Sequence, residues 1–471
     1  MKLKSLRLSI ACGPFAVLIA VSLLGGAVNV EAVTQTVIYS FQGIPDGMYP
    51  VGAVVFDKAR NLYGVTTNGG DGGSDCFLGS CGTVYQLTPS GTSGGPWVET
   101  VIYNFKGKSQ NDGEDPYSGL LIDDAGNLYG ATGYGGSGNC TLVGTSVGCG
   151  TVFELSPPPQ PGGQWSETIL YNLQGGSDGY LPYGDLTVDK AGNIYGSTLY
   201  GGGYGICDEN IYPNCGTVFR LGPPQGPGGA WQETVLYSFK GEGVSFYDPV
   251  VDGADPNGGL TLDSAGAIYG TTQYGGLAMA CGGSAEGSGC GTVFKLVPPV
   301  VQNQPWAEQV LYRFQPPPDG SYPFAGVILD EQGNVYGTNI FGGASLGGTL
   351  FKLSPSSEPS GLWIETILHN FGSIPYDGVI PEAKPTLEQS GNLYGRTIGG
   401  GPRSRGTVFH LDLRNNNYNI VTHFKGGPSG GHPNNSLKLG PYGNVYMTTA
   451  DGGTANLDCD NGCGTVIQLS P

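Results

Sequence analysis

Asn127-Leu-Tyr-Gly130, followed twenty residues on by Gly150-Thr-Val-Phe153, is the pair of strings on which the fold turns, because it returns along the whole chain. It recurs as Asn61-Leu-Tyr-Gly with Gly82-Thr-Val-Tyr, Asn193-Ile-Tyr-Gly with Gly216-Thr-Val-Phe, and Ala267-Ile-Tyr-Gly with Gly291-Thr-Val-Phe. Three more copies follow: Asn334-Val-Tyr-Gly with Gly348-Thr-Leu-Phe, Asn392-Leu-Tyr-Gly with Gly406-Thr-Val-Phe, and Asn444-Val-Tyr-Met with Gly464-Thr-Val-Ile. The residues after position 32 come to roughly 63 per copy, too long for one coil of a solenoid and suited to a four-stranded blade with long loops.

Around that pair each copy reads as four short strands. Strand a follows a Pro and is apolar (Leu120-Leu-Ile, Leu260-Thr-Leu, Val327-Ile-Leu), and a turn such as Asp123-Asp-Ala-Gly-Asn127 leads into strand b, the Asn-Leu-Tyr-Gly string. Strand c is the Gly-Thr-Val-Phe string. Strand d is the run Trp231-Gln-Glu-Thr-Val-Leu-Tyr-Ser-Phe239, with Trp97, Trp165, Trp306 and Trp363 at the same place and Tyr418 expected to substitute in the sixth copy. The chain opens after its leader with a d-type strand, Thr36-Val-Ile-Tyr-Ser-Phe41, and reaches a c-type strand, Gly464 to Leu469, at its other end. An open array would leave a bare ladder at each end, whereas a ring pairs the spare strand with the last blade. The expected fold is therefore all-β, a single seven-bladed β-propeller over residues 33–471, four strands per blade, closed by the N-terminal strand.

Composition agrees and narrows the function. Gly and Pro number 86 and 34 of 471 residues, and Asp, Glu, Lys and Arg make up only 12%, which excludes helical bundles, coiled coils and charge-driven disorder. A formal charge of −18 removes an electrostatic footprint for nucleic acid or anionic lipid. Lys2, Lys4 and Arg7 before an apolar run from Ile10 to Val28, then Val30-Glu31-Ala32, read as a signal peptide over residues 1–32. A secreted or periplasmic protein is expected, a monomer with no membrane association once the leader is removed.

The repeated strings make the chain similar to the choice-of-anchor tandem-repeat GloVer-containing proteins, secreted bacterial repeat proteins. The resemblance spans nearly the whole mature sequence and implies export, but it carries no activity. Members end in surface-anchoring segments; here the last strand is followed directly by Pro471, so no anchor is expected.

Cys12 falls in the leader. The other ten cysteines form five local pairs, Cys76 with Cys81, Cys140 with Cys149, Cys207 with Cys215, Cys281 with Cys290, and Cys459 with Cys463, each in a b-to-c loop. In an exported chain they read as intra-loop disulfides. With two thiolates and no His per loop, zinc is not expected.

Strand direction alternates, so the long d-to-a and b-to-c loops share one face, where binding sites concentrate. On it lie Asp-Gly pairs before each strand a, at Asp46, Asp112, Asp178, Asp252, Asp319 and Asp377, with Gly430-Gly431 in the seventh copy. Asp-Gly is foremost a turn signal; as a functional alternative these carboxylates would ring the channel mouth and hold a Ca²⁺. The repeated Tyr of strand b and Trp of strand d either pack blade on blade or stack on sugars. Arg403 and Arg405 form a basic spot that could contact an anionic ligand. At the middle of strand a, taken as the channel wall, stand Val55, Leu121, Thr187, Thr261, Ile328, Thr386 and Lys438, a set with no carboxylate or His to act as acid or base. No linear catalytic motif occurs and no catalytic residue is assigned. The expected role is a binding or interaction module for a glycan, cell-wall polymer or protein ligand. The alternatives are a Ca²⁺-dependent hydrolase, lactonase or lyase, or a structural surface protein.

Overall fold

The computed structural model describes residues 33–470 except 72–75, 77–78, 91–96, 143, 161, 204–214, 227, 242–251, 277–280, 282–288, 302–303, 357–362, 435 and 456. The described residues contain no α-helix. Their strands form seven antiparallel sheets arranged as blades of a seven-bladed β-propeller. Blade one runs Gly47–Phe56, Leu62–Gly69, Thr83–Pro89 and Trp97–Asn104 as strands a to d, hydrogen-bonded in that order, and blades two to six repeat it. In blade seven the d position is filled from the other end of the chain: Thr34–Ser40 pairs antiparallel with Thr465–Ser470, Thr36 opposite Gln468.

The recurring residues of the repeat have packing reasons. The Gly of each Tyr-Gly string lies opposite the aromatic residue of strand c, Gly196 opposite Phe219 and Gly270 opposite Phe294. A Cβ on Gly196 would sit 2.5 Å from the Phe219 ring, so glycine is what lets the ring lie flat on strand b. Copy seven breaks both rules together, with Met447 opposite Ile467. The same rings meet the preceding blade: Phe239 from the end of one strand d packs edge-on against Phe294 of the next strand c at 5.0 Å, and Phe314 meets Phe351 at 5.1 Å. Strand-d tryptophans also seal the seams; Trp165 of blade two meets Tyr63 of blade one at 5.8 Å. Tyr63 in turn donates to the turn carboxylate of Asp57, as Tyr195 does to Asp189. Both repeated aromatics are thus engaged in blade-to-blade packing.

A backbone hydrogen bond crosses every seam. The N–H of the residue before each strand-a proline donates to the carbonyl preceding the Gly-Thr string of the blade before, as Asp115 to Cys81, Tyr322 to Cys290 and His432 to Arg405. The set includes Tyr49 to Cys463 at 2.9 Å, so blade one is joined to blade seven just as the others are joined to their neighbours. All seven donors have positive φ, between 49° and 60°. Because even Ile380 adopts this costly conformation, the strain belongs to the blade and not to a particular ligand.

Register corrects two sequence alignments. Tyr418 pairs with Leu411, the place where Glu99 pairs with Leu87, so it substitutes for the strand-d Glu and not for the Trp. In copy seven Gly430 packs onto Thr449 and Thr465 as Gly113 packs onto Thr132 and Thr151. Ser429-Gly430, one residue earlier than expected, therefore stands in place of Asp-Gly.

Four of the five cysteine pairs are bridged, Cys76–Cys81, Cys140–Cys149, Cys281–Cys290 and Cys459–Cys463. The expected Cys207–Cys215 pairing cannot be described, since Cys207 lies outside the described residues. The bridges sit beside the d-to-a loops, with Gly107 facing both sulfurs of Cys76 and Cys81, which places both loop types on one face.

Candidate binding site at the channel mouth

Each strand a is led in by a proline, Pro50, Pro116, Pro182, Pro256, Pro323, Pro381 or Pro433, packed on the Gly of the preceding Gly-Thr string; a Cβ on that Gly would lie 2.4–2.8 Å from the ring. The next three residues turn inward. Their backbones crowd one another where Gly52 abuts Gly119 and Gly258 abuts Gly326. Glycine at these positions lets the seven lead-in segments converge. The cavity they enclose, about 330 Å³, draws a lining residue from every blade.

The position after the proline carries Val51, Tyr117, Tyr183, Asn257, Phe324, Glu382 and Asn434, and two residues further stand Asp185 and Lys384. Arg396, from strand b of blade six, completes the set. The wall expected from the sequence is incomplete: this cavity is lined one to three residues after the prolines and by Arg396, and it does contain carboxylates and cations, while Thr261 of the expected wall bonds to Lys384.

The aromatic side is compact. Tyr117 and Tyr183 stack at 4.9 Å with their planes 23° apart, and Phe324 meets Tyr183 edge-on at 5.9 Å. The polar side crosses the axis. Lys384 of blade six reaches the Thr261 hydroxyl of blade four at 2.7 Å, and the Asp185 carboxylate accepts the Gly119 N–H at 2.6 Å. Burial holds the Lys384 ammonium below the usual lysine range, with Asp185 acting against that shift. Arg396 is brought down to about 10 by burial while Glu382 and Tyr183 pull it up, so it stays ionised at neutral pH. Burial raises Glu382, and Arg396 opposes the rise. Two acids and two bases thus face one cavity beside a three-ring aromatic shelf, an arrangement that offers stacking faces together with fixed donors and acceptors.

The aspartates of the Asp-Gly pairs lie elsewhere. They sit in the seams, where Tyr39, Tyr103, Tyr171, Tyr237 and Tyr312 of strand d donate to Asp46, Asp112, Asp178, Asp252 and Asp319. Backbone N–H groups also donate, as Lys106 does to Asp112. At Asp377 the roles pass to His369 at 2.9 Å and Tyr418 at 2.8 Å. None of the six lines the channel cavity. Among the described residues no three His, Cys, Asp or Glu side chains converge as a metal-ligand group. Arg405 pairs with Asp451 at 2.8 Å, which also binds His432 at 2.8 Å, and Arg403 reaches the Lys425 carbonyl at 3.4 Å.

Beside each seam aspartate lies a strand-d glutamate that the sequence reading passed over. One carboxylate oxygen of Glu99, Glu167, Glu233, Glu308 and Glu365 is buried without a hydrogen-bond partner among the described residues. Burial, and then the charge of the neighbouring Asp, pushes these carboxyls up to about 7, or about 8 at Glu167.

The sequence profile of the Gloeobacter/Verrucomicrobia repeat matches residues 25–207 and 278–471. No curated protein matches the chain. Among solved structures, an ulvan lyase of a new polysaccharide lyase family, bound to -[GlcA(1-4)Rha3S]-, is 10% identical with a TM-score of 0.49, covering 92% of this chain and 95% of its own. A Bacteroides fragilis protein provisionally described as a 6-phosphogluconolactonase is 14% identical with a TM-score of 0.45, covering 79% and 85%. PhoX from Pseudomonas fluorescens, in complex with vanadate, is 9% identical with a TM-score of 0.43, covering 93% and 95%. At such distances these likenesses carry no argument about activity.

Proposed function

The chain belongs to the Gloeobacter/Verrucomicrobia repeat family, and from that premise we propose that it is an exported propeller that binds a glycan at the mouth of its central channel. The observation that carries this reading is the convergence of Tyr117, Tyr183 and Phe324 with Asp185, Glu382, Lys384 and Arg396 on one cavity. Aromatic faces match the C–H faces of a sugar ring, while paired acids and bases match its hydroxyls without demanding a charged ligand. Export is supported by the leader-like residues 1–32 and by the bridged loops. No helix among the described residues is long and apolar enough to cross a membrane.

The test is a glycan-array screen followed by titration calorimetry on the strongest hit. Tyr183→Ala should cost at least tenfold in affinity with an unchanged melting temperature. Equal binding by wild type and variant, or an array without hits, overturns the proposal.

A further inference from the structure

We propose that a tyrosine-lined cleft on the seam of blades two and three is a second sugar subsite, so that the ligand is a neutral polysaccharide chain running from the channel mouth onto the loop face. This rests on the channel reading above. The cleft, about 260 Å³, shares Tyr117 and Tyr183 with the channel cavity and adds Tyr134, Tyr180 and Tyr200. All five rings are partly exposed. Tyr180 and Tyr200 lie 5.4 Å apart, and Tyr134 meets Tyr117 edge-on at 6.5 Å. The remaining wall is Leu142, Val147, Leu181 and the bridged loop at Cys140, so among the described residues no charged side chain lines the cleft.

The repeat shows that the blade framework does not require a Tyr at 134 or 200, whereas Tyr180 also packs against the core beneath it. Tyr134 and Tyr200 stand two residues after the strand-b threonines Thr132 and Thr198, whose hydroxyls bond to strand c. At the same place other copies carry Asn68, Tyr274, Phe341, Gly399 and Asp451. A position that accepts Gly and Asp in sibling blades does not require Tyr for the blade to form, and in blades two and three the rings placed there extend Tyr117 and Tyr183 along the cleft.

Aromatic rows of this kind hold successive sugars by their apolar faces, and Tyr loses little conformational freedom in doing so. A net charge of −18 opposes a polyanion, and the uncharged wall offers no counter-ion, so the chain taken is neutral.

The experiment is calorimetric titration with gluco-, manno- and xylo-oligosaccharides of two to eight residues. Wild type should gain about tenfold or more in affinity between the disaccharide and the longer members of the series it binds. Tyr134→Ala with Tyr200→Ala should abolish that gain and leave the disaccharide affinity in place. Phe324→Ala, at a residue that lines the channel cavity but not the cleft, should weaken every length alike.

An affinity independent of length, or a gain that survives in the double tyrosine variant, overturns the second subsite and leaves the channel reading standing. Loss of binding in the tyrosine variant with none in Phe324→Ala overturns the channel reading alone. Absence of binding to every oligosaccharide overturns both. Matched melting temperatures establish that the variants are folded.

Discussion

Replacing all five seam glutamates by glutamine (Glu99, Glu167, Glu233, Glu308 and Glu365) should stabilise the protein at alkaline pH and leave it unchanged at pH 4. Each folded-state carboxyl is raised, Glu233 from 4.5 to about 7. The native state therefore keeps protons that the unfolded chain releases, and stability falls as pH rises between about 4.5 and 7. Fully developed, such a shift is an upper bound of about 3.4 kcal/mol per site. These side chains are partly solvated, and screening reduces the figure to about 1–2 kcal/mol each.

The sites lie in separate seams and should add, giving about 5–10 kcal/mol above pH 8. For a ring of this size that corresponds to a rise of about 5–10 °C in Tm. Scanning calorimetry at pH 4, 7 and 8.5 reads it directly. Equal shifts at pH 4 and 8.5, or a lower Tm at pH 8.5, would refute the idea that ionised carboxylate pairs oppose each other across the seams.

Gly196→Ala drives a methyl into Phe219 and should cost about 2–4 kcal/mol by chemical denaturation, while adding Phe219→Ile, which imitates the Met447 and Ile467 pair, should recover most of it. Removing residues 33–42 strips strand d from blade seven and should abolish soluble expression or the cooperative melt; an unaltered Tm would count against closure. Cys281→Ser with Cys290→Ser should lower stability by roughly 2–3 kcal/mol, because the bridge closes a loop of nine residues, without loss of the propeller's far-ultraviolet signature. Asp115→Asn should raise Tm above pH 8, since burial pushes the carboxyl of Asp115 up to about 8 and neither of its oxygens has a hydrogen-bond partner among the described residues.

The blade plan was legible in the sequence because its determinants are local and recur. A Pro on a Gly recurs in all seven copies, a Gly opposite an aromatic residue in six and a Tyr above a turn Asp in five, so the strings stay recognisable along the chain. The site was not legible for the complementary reason. Tyr117, Tyr183, Phe324 and the pair Glu382 and Lys384 follow their prolines in four different copies, and only the curvature of the ring brings blade six against blade four. A signal was present all the same: the residue after each proline changes in almost every copy while the proline persists in all seven. The Asp-Gly pairs recur for a reason beyond the turn they signal, since the first five aspartates each accept from a Tyr of the preceding blade. The strand-d Glu was hidden inside a strand pattern, and its environment exists only once two blades meet.

Every site residue depends on the leading strand completing the last blade, and an engineered cross-link tests that most directly. Thr36 and Gln468 face each other across the closing pair. Thr36→Cys with Gln468→Cys should oxidise to an intramolecular disulfide in the native monomer, seen as a mass loss of about 2 Da and a faster non-reducing gel band, with a raised Tm. Two thiols that stay free in the folded protein, or that link only between molecules, would contradict the closed ring.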